Sequence, residues 1–328
     1  MTETTTVYFA TNRNPAGNGF GSLIADPDPA NTLFASVEVT GTDIADAQSG
    51  KLGTITGKSV GTFGTGALYA IVNGGDNLLV FVHGFANSFE DAIKRAAFNR
   101  AWFAAGGAAG ETTVVAFTWP SSGTTVGSIS DLAGPYRDDQ GSAGKSGEHL
   151  ARFFLEIDKI ATAFKKLRPS RRVFLLVHSM GNWALQAGVQ AWYPKRTETG
   201  PVFDEVILAA PDENFNSFEA TPGERLTRLA DLGERITIYF SGSDKILFLL
   251  SEGINGVRRL GTLGPDKIND LTIYPAAKFR LRNAGVLNDY PRATFDAGHQ
   301  YYRLSPTVRA DIVAMMNGNP SGERVDYL

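Results

Sequence analysis

The chain reads as an α/β protein, with a mostly parallel sheet covered by helices on both faces. Three observations predict this. From about residue 78, short aliphatic runs such as "NLLVFV", "TTVVAF", "RVFLLV" and "DEVILAA" alternate with longer amphipathic segments. Those runs are continuously apolar, as strands buried on both faces require. The 328 residues, 43% hydrophobic and 20% charged, also suffice for a sizeable core and a pocket.

The elements follow in order. In the N-terminal part "VYFATNR" (7–13), "LFASVEV" (33–39) and "ALYAIV" (67–72) are strand-like pieces between turn-rich stretches. They read as antiparallel strands joining the same sheet. One domain over 1–328 is therefore expected, with strands from 1–76 and an α/β core over 77–318. Strand 77–85 leads into helix 88–107, with Ser88 as N-cap and Asp91 at N3. Strand 112–120 stops at Pro120, a polar loop covers 136–149, and helix 146–170 has a basic last turn. Strand 172–177, helix 182–193, strand 204–210, helix 222–233 and strand 235–240 continue the alternation. "KILFLLSEGI", strand 271–276 and helix 305–318 complete it.

Several function classes are excluded. A formal net charge of −3 offers no basic surplus for phosphate backbones, so no nucleic-acid partner is expected. The absence of cysteine removes disulfides, thiolate metal sites and cysteine nucleophiles. No apolar run is long enough to span a membrane. The start lacks a basic stretch followed by an apolar one, which predicts a cytoplasmic protein; one trimmed of its leader would read the same. "GSAGKSG" (141–147) has Asp139 where a phosphate loop needs glycine, and "GTFGTG" (61–66) lacks a following helix of the dinucleotide type. Both read as loops.

"RRVFLLVHSMGNWAL" (171–185) places Ser179 where a strand meets a helix, with Gly181 two residues on. Such a junction either caps the helix or forms a nucleophile elbow, whose tight turn demands small flanking residues. Val177 departs from the strict pattern, which has glycine there. A serine nucleophile needs a base, and histidine suits that task near neutral pH. Of four histidines, His178 adjoins Ser179 and points elsewhere, His149 lies mid-helix, and His83 ends a strand before Gly84. His299, in "DAGHQYY", lies in a loop before the last helix and is the candidate base. Its acid partner belongs at a strand end between the two. Asp244 in "SGSDKIL" is preferred, with Asp212 in "AAPDENF" as runner-up, and the order Ser…Asp…His fits a hydrolase triad. The amides of Met180 and Phe85 are the candidate oxyanion donors. Gly84 lets the backbone approach, and His83 braces the loop.

Taken together, "FVHGFANSFEDAIKRAAF", "FTWPSSG", "VHSMGNWAL", "APDENF", "SGSDKIL" and "GHQYY" resemble the α/β-hydrolase superfamily. More narrowly they resemble a bacterial hydrolase family with an HSMGN elbow. The likeness spans roughly residues 7–315. It implies the α/β-hydrolase fold, Ser179, Asp244 and His299 as triad, and Phe85 and Met180 as oxyanion hole, with no cofactor and no metal. The expected activity is cleavage of a small-molecule carboxylic ester through an acyl-enzyme. The alternatives are acyl transfer, a thioester, lactone or amide substrate with the same triad, or a silent scaffold that binds a ligand. Phe85, Asn87, Phe89, Trp119, Tyr136, Phe215, Phe218, Phe248 and Tyr301 are candidate pocket residues, and 212–218 and 245–254 candidate short lids.

Overall fold

The computed structural model describes residues 3–123, 129–197, 200–291 and 297–328. In chain order the strands are β1 (Thr4–Thr11), β2 (Arg13–Ala16), β3 (Gly19–Ile24), β4 (Leu33–Thr40), β5 (Lys51–Val60) and β6 (Asn77–Val82). They continue as β7 (Thr112–Thr118), β8 (Arg172–His178), β9 (Phe203–Ala209), β10 (Gly233–Phe240), β11 (Phe279–Asn283) and β12 (Val325–Tyr327). The helices are α1 (Thr65–Asn73), α2 (Phe89–Ala105), α3 (Ile129–Lys145), α4 (Gly147–Leu167) and α5 (Gly181–Trp192). After them come the short α6 (Leu229–Leu232), α7 (Glu252–Asn255) and α8 (Leu260–Leu263), and finally α9 (Pro306–Met316).

One sheet carries ten strands in the order β12-β11-β10-β9-β8-β6-β7-β1-β4-β5, and β2 and β3 form a separate hairpin. Neighbours from β12 through to β1 pair in parallel, whereas β4 is antiparallel to both β1 and β5. Of the N-terminal strands, β1, β4 and β5 thus join the main sheet as expected, although β1 itself runs parallel to β7, and β2 and β3 do not.

Alternation along the central strands builds two cores. In β6, Leu78, Val80 and Val82 pack on the face covered by α1, α3, α4 and α5, while Leu79 and Phe81 pack under α2 and α9. β8 repeats the pattern, with Val173, Leu175 and Val177 on the first face and Phe174 and Leu176 on the second. This two-sided burial is the physical reason for the unbroken apolar runs.

The chain passes from β6 to β7 on one side and then crosses to β8 on the other. Loops leaving the C-terminal ends of β6 and β8 therefore flank a crevice where strand order reverses, the usual ligand position in such sheets.

Four expectations are corrected. Residues 67–72 form most of α1, and Ala67, Leu68, Ile71 and Val72 face the core at helical spacing. The polar stretch 136–149 belongs to α3 and the start of α4. Leu132, Tyr136, Asp139 and Ala143 make one buried helical stripe among residues of low helix propensity. Helix 222–233 shrinks to α6 because Gly223 and Arg225 take left-handed φ values of 94° and 46°. Residues 271–276 turn, and the strand is instead β11, "FRLRN". Its arginines hid it, yet both are paired inside: Arg280 with Glu205 at 3.6 Å and Arg282 with Asp311 at 3.3 Å.

The Ser88 cap forms as expected, accepting from the Asp91 amide at 3.1 Å while the Asp91 carboxylate reaches back to the Ser88 amide at 3.2 Å. Ser88→Ala should lower stability by about 1 kcal/mol, read as a shifted urea midpoint with an unchanged slope.

Candidate active site

β8 ends directly on Ser179, which takes φ of 53°, in the left-handed region that a non-glycine residue seldom occupies. The turn closes because two neighbours lack a Cβ. A Cβ on Gly84 would sit 2.8 Å from Ser179 Cβ, and one on Gly181 would sit 2.5 Å from the His83 carbonyl and 3.2 Å from Val177 Cγ1. Val177 is therefore accommodated by the missing side chain of Gly181. The Ser179 hydroxyl makes no helix cap; α5 begins without a side-chain cap from Met180.

Ser179, His299 and Asp244 are brought together from three separate segments. His299 Nδ1 stands 2.6 Å from Asp244 Oδ2, so it carries the proton that the carboxylate accepts. The other ring nitrogen, Nε2, is left as an acceptor 2.8 Å from Ser179 Oγ. Asp244 is held in turn, its Oδ1 accepting from the Leu247 amide at 3.0 Å. Tyr301, two residues past His299, ties that segment to the sheet: its hydroxyl donates to the Tyr239 carbonyl at 2.9 Å and accepts from the Ala210 amide at 3.0 Å. All three side chains are nearly closed to solvent.

The runner-up, Asp212, lies elsewhere. Its carboxylate accepts from Tyr136 at 2.7 Å and Ser251 at 2.5 Å, and burial raises its pKa. Its amide donates to the Ser179 carbonyl at 3.2 Å, so it supports the turn from behind and makes no contact with His299.

The two remaining site histidines are buried and neutral. His83 Nδ1 donates to the Gly84 carbonyl at 2.9 Å, its ring stacks on Trp119, and burial beside Arg13 pushes its pKa well down. His178 Nε2 donates to the His299 carbonyl at 3.3 Å, and burial lowers its pKa in the same sense.

Sequence reasoning missed Asn182 and Arg13 and took Asn87 only as a candidate pocket residue, yet all three shape the site. Asn87 Nδ2 donates to the Gly84 carbonyl at 2.9 Å, and Asn182 Nδ2 donates to the Ser179 carbonyl at 2.9 Å. Each asparagine thus pins the carbonyl three residues before it. Because a trans peptide is planar, fixing these carbonyls aims the amides of Phe85 and Met180 the opposite way. Arg13, fully buried at the start of β2, donates to the carbonyls of Asn87 at 2.8 Å and Ser121 at 3.0 Å. The repeated spacing in "HGFAN" and "SMGN" was the available signal for the asparagines; nothing local marks Arg13.

A model of the family described as "Alpha/beta hydrolase of unknown function" (DUF900) matches residues 70–315. The chain belongs to that family. The mostly parallel sheet flanked by helices is the architecture that this alpha/beta hydrolase family name denotes. No curated protein matches the chain. Among solved structures, similarity is found to the product of gene lin2722 from Listeria innocua, at 9% identity over 76% of this chain and 97% of that one, with a TM-score of 0.34. A serine-to-alanine mutant of YbtT, the type II thioesterase from the yersiniabactin NRPS/PKS biosynthetic pathway, is similar at 13% identity over 78% and 86%, with a TM-score of 0.23. Neither likeness is close enough to bear on the chemistry. Among the described residues of this hydrolase no helix is long and apolar enough to cross a membrane, and no His, Asp and Glu side chains group as metal ligands.

The candidate pocket aromatics divide. Phe89 packs with Phe9 and Phe20, Phe218 packs with Tyr274 and Phe279, and Trp119 and Tyr301 are fully buried structural residues. Phe85 is partly exposed against the Tyr136 ring, Phe215 lies under Arg258, and Phe248 is open to solvent.

Glu213, next to Asp212, is buried, with its pKa pushed up by desolvation from an ordinary 4.5 to about 8. A raised carboxyl pKa favours the neutral form in the fold, so stability present below pH 4.5 is lost as pH rises towards 8. Glu213→Gln should flatten that decline, seen as a melting temperature that no longer falls between pH 5 and 8.

Proposed function

We propose that this alpha/beta hydrolase is a serine esterase that cleaves carboxylic esters through an acyl-enzyme on Ser179. The observation that carries the reading is the unbroken line from Asp244 Oδ2 through the His299 ring to Ser179 Oγ, at 2.6 and 2.8 Å. His299 Nε2 takes the hydroxyl proton as Oγ attacks the ester carbonyl carbon. Asp244 holds the ring in the required tautomer and stabilises the imidazolium that forms.

The carbonyl oxygen becomes an oxyanion facing the amides of Phe85 and Met180. Their peptide planes are already fixed by Asn87 and Asn182, so little reorganisation accompanies charge development. When the tetrahedral intermediate collapses, the alkoxide leaves with the proton from His299. Water then enters, gives its proton to the same nitrogen and attacks the acyl carbon, and Ser179 departs with that proton. The acid is released and the hydroxyl restored. The chemistry asks for no cofactor.

The assignment of the acid separates cleanly by mutation. On a panel of p-nitrophenyl esters, Asp244→Asn should lower kcat by on the order of 10⁴-fold with the melting temperature little changed. Asp212→Asn should spare most of the turnover and lower the melting temperature, because Asp212 serves a buried network. The reverse pattern would transfer the role to Asp212. Asn182→Ala should lower kcat by about tenfold, less than the roughly 10²–10³-fold loss of a direct oxyanion donor, with KM nearly constant. An equal loss through KM alone would remove Asn182 from the oxyanion machinery.

A further inference from the structure

An open pocket of about 490 Å³ with mainly polar walls is lined by residues that follow the Ser179 turn and β9 in the chain, and by none of Ser179, Asp244 and His299. Trp183 and Gln186 line it from the first turns of α5, Asn214 from the segment after β9, and Arg225, Asn255 and Arg259 from the segments that follow. Trp183 is four residues past Ser179, and Asn214 is two past Asp212, whose amide holds the Ser179 carbonyl. The cavity is thus built from the chain segments that also build the turn.

Its hydrogen-bonding balance is one-sided. Arg259 is fully buried, with Nε given to the Val257 carbonyl at 3.0 Å and Nη1 unpartnered. Asp212 Oδ1 forms an ion pair with Nη1 at 3.8 Å, too long for a hydrogen bond, and Asp212 accepts its hydrogen bonds from Tyr136 and Ser251. Trp183 Nε1, a second donor in the lining, is likewise buried and unpartnered. Arg225 adds a second cation, on backbone held at a left-handed φ of 46°. Glu224 also lines the cavity, but it is solvent-exposed, where water screens its charge far more than that of buried Arg259. Glu213, the other acid close by, is held neutral near pH 7 by its burial. The lining thus sets two cations, Arg225 and Arg259, against one exposed acid, Glu224, and leaves Arg259 Nη1 and Trp183 Nε1 without a hydrogen-bond acceptor.

We propose that this cavity is a substrate subsite for a carboxylate, so that the enzyme acts on esters that also carry an anionic group, held by Arg259 and Arg225. The inference rests on the esterase reading for its catalytic part; the binding part stands on the cavity alone.

Two measurements separate the parts. The first is calorimetric titration of Ser179→Ala protein with the monomethyl esters of succinic, glutaric and adipic acids, and with the corresponding dimethyl esters. At least one monomethyl ester should bind at least tenfold more tightly than its dimethyl ester, and Arg225→Gln on the same background should reduce that advantage to about threefold or less. Equal binding of charged and capped forms, or no binding of either, overturns the subsite whatever the enzyme hydrolyses. The second compares kcat/KM for aryl monoesters of those diacids, for acetates of carboxyphenols, and for the methyl-capped form of each. A preference of tenfold or more in the first series places the anion on the acyl side, and in the second on the alcohol side. Hydrolysis of capped and anionic esters at equal rates sinks the subsite and leaves the esterase standing. Tight, carboxylate-dependent binding of the monomethyl esters with no hydrolysis of any ester supports the subsite and sinks the esterase.

Discussion

Everything at the site depends on one turn, held at a backbone conformation its own residue disfavours. Ser179 at φ 53° costs of order 1–3 kcal/mol, and the surroundings over-determine it. Its amide donates to the Ala209 carbonyl, while its carbonyl accepts from the amides of Asn182 and Asp212 and from the Asn182 side chain. Gly84 and Gly181 leave room where any side chain would collide with backbone. The hydroxyl is thereby lifted off the end of β8 and set against His299.

The same construction is used on both sides of the crevice. After β6, the Gly84 carbonyl receives His83 Nδ1 and Asn87 Nδ2; after β8, the Ser179 carbonyl receives Asn182 Nδ2 and two amides. In each case side-chain and backbone donors spent on a carbonyl orient the amide behind it. Rigidity here comes from buried hydrogen bonds, which are strong because water is excluded and costly if broken. Arg13 extends this brace to the N-terminal hairpin, so β2, far from the crevice in sequence, helps fix the loop after β6.

Legibility in the sequence followed how local the physics is. The strands β6 to β10 announced themselves because burial on both faces leaves no alternation to misread. Ser179, Asp244 and His299 could be picked out because each stands at a strand end or loop in a fixed chain order, and the structure places all three in one hydrogen-bonded row. What escaped notice depends on distant partners. β11 looked polar because its arginines are neutralised by acids far off in sequence, Glu205, Asp311 and Asp326. α3 looked like a loop because its buried stripe is sparse among glycine and a proline. Arg13 had no local motif at all.

The measurement that bears most directly on the account is fluorophosphonate labelling, read by intact mass and peptide mapping. The reagent reports an activated serine without reference to substrate. The account predicts a single adduct on Ser179 that disappears in His299→Ala protein of unchanged melting temperature. An unlabelled but folded wild-type protein, or an adduct that persists without His299, would contradict it.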